Sequence, residues 1–358
     1  MNKKNTIRAV VALTVGVAII AIGDAFLGPF AVRILNLSAI YIILALSLNL
    51  LNGFTGLFSL GHAGFMAVGA YVSALLTMTP AQKSMNFFLT PIVPWLDTVQ
   101  LPFIVALIIA GLCAAFVGLL IGAPALRLRD DYLAIATLGF AEIIRVLITN
   151  AQSLTNGAQG LKAIPKYSTT WVVWGAAAIA ALFLVMLLRS SYGRTIKAVR
   201  DDEIAAEAMG VNVFRVKVTS FVISSFWAGI GGALLGHMIT TIDPKMFNLI
   251  LTFNILLIVV LGGNGSITGS VLGAIIVTVL MEALRFLDMP MNLVFIKTQG
   301  LPGLRMVIFS ILLMIVVLYR QRGLMGTKEF SWDMLSAKAL LAALKPKKRG
   351  ERARKGGR

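Results

Sequence analysis

Few side chains in this chain can do chemistry, and their spacing narrows what that chemistry is. His62 and His237 are the only histidines, and no H-E-x-x-H spacing that would hold a metal occurs. No G-x-x-x-x-G-K-[ST] stretch offers a phosphate cradle, because the glycine-rich passages run on into apolar sequence. The residues therefore predict no covalent active site, no metal and no cofactor bound by this chain. Glu142-x-x-Arg145 and Glu282-x-x-Arg285 each set an acid three residues before a base, the spacing at which two side chains pair on one helix face. The densest polar cluster is Ser190–Lys217, SSYGRTIKAVRDDEIAAEAMGVNVFRVK. Its centre, Asp201–Gly210, begins with Asp201, Asp202 and Glu203, continues through Ala205, Ala206 and Glu207, and ends at Gly210: the start and stop signals of one short helix. Arg194, Lys197, Arg200, Arg215 and Lys217 flank it. Such a segment lies in water and offers recognition chemistry to a partner.

The elements around these residues are apolar. The chain is 58% hydrophobic and 13% charged, with a mean hydropathy of +0.89, where soluble domains carry roughly a quarter charged residues. The fold class is an all-α polytopic membrane protein. A span needs about 20 mostly apolar residues, and about ten windows qualify. They lie near 9–30, 34–51, 57–78, 102–124, 132–149, 171–188, 218–239, 249–262, 268–286 and 303–319. The net charge of +17 does not indicate nucleic acid, because its placement follows the membrane. With both termini in the cytoplasm, the inner side receives Lys3, Lys4, Arg8, Arg127, Arg129, Ser190–Lys217 and the tail after Arg320, which is the positive-inside bias. Lys3, Lys4 and Arg8 before a hydrophobic run resemble a signal peptide, but the charge alternation works best if the first helix stays. Cys113 is the lone cysteine, so no disulfide framework exists.

An Arg or Asp at a helix centre costs roughly 2.5–3.5 kcal/mol on insertion scales, so ionisable residues within spans need partners and often mark function. The Glu142–Arg145 and Glu282–Arg285 pairs fit either a transport path or helix packing. The same two readings hold for Gly56, His62 and Gly64 in GFTGLFSLGHAGFMAVGA (53–70), and for Gly263 and Gly265 in GGNGSITGSVLGA (262–274). A hydrogen-bonded structural role is the expectation for both histidines. These echoing passages and matched ion pairs suggest an internal duplication. No series of buried acids forms a proton relay, so energy is expected to enter through Ser190–Lys217. The chain divides into a membrane domain, 1–326, and a basic tail, 327–358, whose Lys345–Arg358 run is drawn to anionic lipid headgroups.

Five stretches then carry a resemblance: LSLNLLNGFTGLFSLGHAGFMAVGAY (46–71), LRLRDDYLAIATLGFAEIIR (126–145), LTNGAQGLKAIP (154–165), GRTIKAVRDDEIAAEAMGVN (193–212) and VVLGGNGSITGSVLGA (259–274). In this order they resemble the LivM-type permease subunits of bacterial ABC importers for branched-chain amino acids, over nearly the whole chain from Leu44 to Gly326. The resemblance implies a multi-pass protein of the bacterial inner membrane that works by alternating access. Its partners would be two cytoplasmic ABC ATPases that bind the ATP, a LivH-type second permease and a periplasmic binding protein. It makes Ser190–Lys217 the ATPase-coupling segment, similar to the E-A-A-x-x-x-G pattern, with Ile204 where the first acid is expected and that acid displaced to Glu203. It makes Thr155, Asn156, Gly157 and Gly160 candidates for binding-protein docking. Similar permeases move urea and short amides, and a self-contained channel or secondary carrier is the alternative class. Deleting Lys345–Arg358 is expected to change the amount of protein in the membrane more than its turnover. Immunoblots beside uptake assays check this, and normal levels with abolished uptake would contradict it.

Overall fold

Inside a bilayer each backbone polar group needs a partner from the protein, so apolar runs of this length fold as helices. The computed structural model describes residues 28–285 apart from Leu89 and Arg129. It also describes Ala21, Gly23, Asp24, Phe26, 291–293, 296–298, 307–311, Met314, 323–326 and Glu329. Six helical segments among the described residues are long and apolar enough to cross a membrane: 29–55, 103–125, 132–150, 170–189, 213–239 and 244–262. Two shorter apolar helices, His62–Thr77 and Ile267–Ala283, join them. The protein is a multi-pass, predominantly helical membrane protein. Eight of the expected windows correspond to these helices; the windows at 9–30 and 303–319 fall largely outside the described residues.

Two helices form the axis. Helix α1 (Pro29–Asn49) opens with proline in its first turn, where the missing N–H costs no hydrogen bond. Helix α9 (Val213–Ile239) starts at an Asn212 cap. Their most apolar windows are 78% and 72% buried, against 22% for α5 (Asp130–Asn150) and 28% for α6 (Thr170–Arg189). The axial pair therefore packs protein on all sides, while α5 and α6 keep one face outward. Helices α2 (His62–Thr77) and α4 (Phe103–Ala125) pack on α9 and on each other. Helices α6, α10 (Leu249–Gly262) and α11 (Ile267–Ala283) pack on α1, and α5 lies against α2. Ile40, Ile43, Leu44 and Leu48 of α1 and Phe221 and Leu234 of α9 are wholly buried in the core. The α2–α9 crossing is backbone against backbone: a side chain at Gly69 would run into the Gly229 carbonyl, and one at Gly229 into Ala114 of α4. Small residues permit this approach, and dispersion between close helices replaces the hydrophobic drive that lipid does not supply.

The two ends of the bundle are built differently. At one end the long loops lock together. Asn86 of α3 (Pro80–Asn86) donates to the Lys162 carbonyl at 2.9 Å and accepts from the Lys162 amide at 2.7 Å. Leu161 and Ile242 form an antiparallel bridge. Lys83 is fully buried, its ammonium held by the Leu96 and Val99 carbonyls, each at 2.6 Å. Burial pushes that ammonium's pKa down and nearby Asp97 raises it. The other end holds Ser190–Lys217 and both glycine breaks.

Three expectations change. The 57–78 window is not one helix: Gly56, at φ +82°, ends the preceding helical run, residues 56–61 are non-helical, and α2 begins at His62. Asp201–Gly210 is not one helix either, because Asp202 at φ −161° and ψ 110° divides α7 (Ser191–Asp201) from α8 (Glu203–Ala208). The all-α class also acquires a small hairpin, β1 (Met291–Leu293) antiparallel to β2 (Ile296–Thr298), with Met291 opposite Thr298.

The crossing yields a paired prediction. Gly229→Val should destabilise the detergent-solubilised protein by about 1–3 kcal/mol or more through overpacking. Gly175→Ala on α6, where a Cβ meets nothing within 4 Å, should be neutral or stabilising by about 0.5–1 kcal/mol. Thermal unfolding followed by size-exclusion recovery separates the two; equal behaviour would contradict the packing account.

Candidate functional site

The Ser190–Lys217 segment is built from its caps inward. Ser190 Oγ accepts from the Gly193 amide at 3.3 Å and starts α7, whose Gly193, Ile196 and Val199 face inward at helical spacing. Asp202 Oδ1 accepts from the Ala205 amide at 3.0 Å and caps α8. The helix ends in a Schellman turn, with the Val211 amide on the Ala206 carbonyl (3.1 Å) and the Gly210 amide on the Glu207 carbonyl (2.9 Å). Gly210 sits at φ +83° with open space around its Cα, so backbone conformation rather than crowding calls for glycine.

Most of the acids are already engaged. Asp201 pairs with Arg200 at 2.7 Å, Glu203 pairs with the nearly buried Lys217, and Asp202 is spent on the cap. The Glu207 carboxylate is exposed and has no hydrogen-bond or ion-pair partner among the described residues. The paired alanines of the E-A-A-x-x-x-G pattern are split, since Ala206 is buried in its own chain and only Ala205 faces out. Beside Ala205 stand Ile204 and Met209, 83% and 84% exposed. On a water-facing helix these two apolar side chains are the unpaired feature. Ile204, the departure from the acidic pattern, is part of that exposed face.

Both glycine passages meet directly behind this segment. The last turn of α1 widens into a π-helical stretch, Leu50–Thr55, in which Thr55 Oγ1 donates to the Leu50 carbonyl at 2.8 Å. Asn49, fully buried, donates to the Ser266 carbonyl at 2.9 Å and to Ser270 Oγ at 2.7 Å, and accepts from the Gly265 amide at 2.9 Å. One side chain thus ties the end of α1 to the α10–α11 loop. Gly53 lies against the Gly265 backbone with no room for a Cβ, and Gly265 itself has φ +84°. Arg200 of α7 reaches the same point, Nη1 donating to the Gly53 carbonyl at 3.1 Å, with Gly56 beneath its side-chain stem. Gly263, at φ +120°, abuts Gly326. Glu329, just past the expected domain boundary, caps α11 through the Ile267 amide at 2.7 Å and Thr268 Oγ1 at 2.9 Å.

The structure thus brings together Gly56, Gly265 and Asp201, the last two through Arg200. Other expected residues lie elsewhere. Gly64 packs on Ala141 of α5. His62 Nε2 is 2.9 Å from Ser47 Oγ, a tie between α2 and α1. His237 is held by the Pro165 carbonyl (2.7 Å) and Ser73 Oγ (2.9 Å) at the far end. Glu142–Arg145 closes on itself at 2.6 Å on the outward face of α5, and Glu282–Arg285 at 2.8 Å at the end of α11. Thr155, Asn156, Gly157 and Gly160 are buried and shape their loop, Asn156 donating to the Gly160 carbonyl at 2.7 Å; exposed residues there include Ala158, Gln159, Lys162 and Ala163. Sequence patterning missed Asn49 and the position of Arg200. The available signal was an amide inside the apolar LSLNLLNGF run.

Residues 30–318 match the family described as branched-chain amino acid transport system, permease component. The chain is 37% identical over 288 residues to the high-affinity branched-chain amino acid transport permease LivM of Escherichia coli K12, covering 71% of this chain and 63% of that protein. It is 36% identical over 289 residues to LivM of Salmonella typhimurium, covering 71% and 64%. Identity to E. coli LivH is 24% over 312 residues, covering 82% of this chain and 94% of that protein. The chain thus spans less than two thirds of the length of these two LivM relatives. No solved structure matches it.

The Schellman turn predicts a graded response. Gly210→Ala should cost about 1 kcal/mol locally, and Gly210→Pro more, because proline holds φ near −65°. Limited proteolysis of the folded permease should cleave within 200–215 faster in that order, and equal rates would contradict a conformational role for Gly210.

Proposed function

This chain belongs to the family of branched-chain amino acid transport permeases, and on that premise we propose that it is one transmembrane subunit of an ATP-driven importer of leucine, isoleucine and valine. The observation that carries the reading is the capped, water-exposed helix α8, presenting Ile204, Met209 and Glu207 without partners of their own. Ile204 and Met209 are large apolar side chains left exposed on a polar segment, which is what a docking surface for another protein requires. ATPase subunits in the cytoplasm take α8 into a groove, with the apolar pair as anchors and Glu207 setting register. ATP bound by those partners draws them together and shifts α7–α8. The membrane halves, this chain and a LivH-type second permease, rock about a path between them in the manner of domain closure. A periplasmic binding protein delivers substrate to the interlocked loops at the opposite end, where Ala158, Gln159 and Lys162 are exposed. Both the family description and the names of the relatives favour branched-chain amino acids over urea or short amides. The positive-inside distribution supports an inner-membrane location with α8 in the cytoplasm.

Proteoliposomes holding this chain, the second permease, the ATPases and the binding protein should accumulate leucine only with ATP. Uptake at equal rate by this chain alone would contradict the reading, and ATP-driven uptake of urea but not leucine would move the substrate. In the same preparation Ile204→Asp should weaken ATPase capture at least about tenfold, as loss of an apolar anchor does. Capture titrated on nanodiscs checks this, and an unchanged affinity would remove α8 as the docking element.

A further inference from the structure

The coupling segment must be joined to the membrane core somewhere, and the geometry narrows the joint to one side chain. Helix α7 lies against the π-helical end of α1 and against α6. Its apolar face, Gly193, Ile196 and Val199, is an ordinary packing surface. Arg200, at its last turn, is different. In an unbroken α-helix the Gly53 carbonyl would accept the Leu57 amide, but that amide goes to the Leu51 carbonyl at 2.9 Å. The carbonyl so released takes Arg200 Nη1 at 3.1 Å. The remaining edge of the guanidinium is fixed by Asp201 Oδ1, which accepts from Nε at 3.0 Å and Nη2 at 2.7 Å. Asp201 is largely exposed, and such a pair adds little stability of its own, so its effect is to aim the guanidinium.

What Arg200 is aimed at is the meeting point of both breaks. A Cβ at Gly56 would lie 3.1 Å from Arg200 Cγ, and one at Gly265 would lie 3.3 Å from Nη1. Gly265 is in turn held by Asn49, whose amide also binds Ser270 in α11. A second, weaker contact runs parallel, with the Lys197 ammonium 5.9 Å from the Phe54 ring centroid. We propose that Arg200 is the positioning residue of energy coupling, clamping α7 through the Gly53 carbonyl to the junction of the two glycine breaks so that a displacement of α8 carries α1 and α11 with it. The proposal rests on the coupling role of α8 given above. A planar guanidinium suits the task because it makes divergent hydrogen bonds in fixed directions, which an ammonium on a flexible stem does not.

The test uses the complete importer in proteoliposomes, with leucine uptake, ATP hydrolysis and ATPase capture read on the same vesicles. Arg200→Met should capture the ATPases and hydrolyse ATP, while leucine moved per ATP falls at least about tenfold, as expected when a charge-assisted hydrogen bond is lost from a moving joint. Arg200→Lys should restore part of the ratio, and Asp201→Asn, which leaves the Gly53 contact but removes its aim, should fall between. An unchanged ratio in these variants would overturn the proposal, as would loss of capture in step with uptake, which would make Arg200 a support of the docking surface. If Arg200→Met does not assemble, Arg200→Lys and Asp201→Asn decide on the same ratio. Failure of the wild-type complex to couple leucine uptake to ATP would instead strike the functional reading, before any variant is made.

Discussion

A backbone that leaves the helix inside a bilayer must find partners for every N–H and C=O it releases, and this constraint organises the end of the protein that holds Ser190–Lys217. The chain breaks twice there, after α1 and after α10. The first break is stabilised by the second: Asn49 spends three hydrogen bonds on Gly265, Ser266 and Ser270. Removing that amide would leave buried polar groups exposed to no solvent, at about 1–3 kcal/mol each. The break could therefore not persist in isolation. Helix α2, at 16 residues, spans about 24 Å at the usual rise, so non-helical residues 56–61 complete its passage.

From that constraint the site follows. Two breaks in contact bring the end of α1 and the α10–α11 loop within reach of one side chain of α7, and Arg200 occupies that place. In the rest of Ser190–Lys217 three acids are satisfied internally, through Arg200–Asp201, Glu203–Lys217 and the Asp202 cap. Ile204, Ala205, Glu207, Ala208 and Met209 stay exposed around α8. The opposite end has the other character. Its loops are interlocked by Asn86, Lys83 and the Leu161–Ile242 bridge into a surface without a comparable break.

Much of this was legible in the sequence, for reasons that differ by element. The axial and peripheral helices follow from apolar length alone. The polar segment Ser190–Lys217 was legible because charge is costly in a bilayer, and its helix stop because Gly210 has a local conformational cause. The Glu142–Arg145 and Glu282–Arg285 pairs follow from the three-residue helical spacing. The split of Asp201–Gly210 was not legible, since an acid at that position serves equally as helix interior or as cap. Nor was the turning inward of Ala206, which depends on packing against the rest of the bundle. Asn49 was lost among apolar neighbours, and its partners lie more than 200 positions away. No local pattern encodes such a contact. Ile204 illustrates the reverse case: it broke the expected acidic pattern, and the fold leaves it exposed at the surface.

The account stands on the rigidity of the link from α8 to the glycine junction. The direct measurement is the distance between spin labels at Met209 on α8 and Leu272 on α11, both exposed, with Cys113 replaced, in the assembled importer. With and without ATP, that distance distribution should stay the same while either label moves relative to the second permease. A shift of the Met209–Leu272 distance on ATP binding would show α8 moving independently of α11, and the clamp would not be the joint.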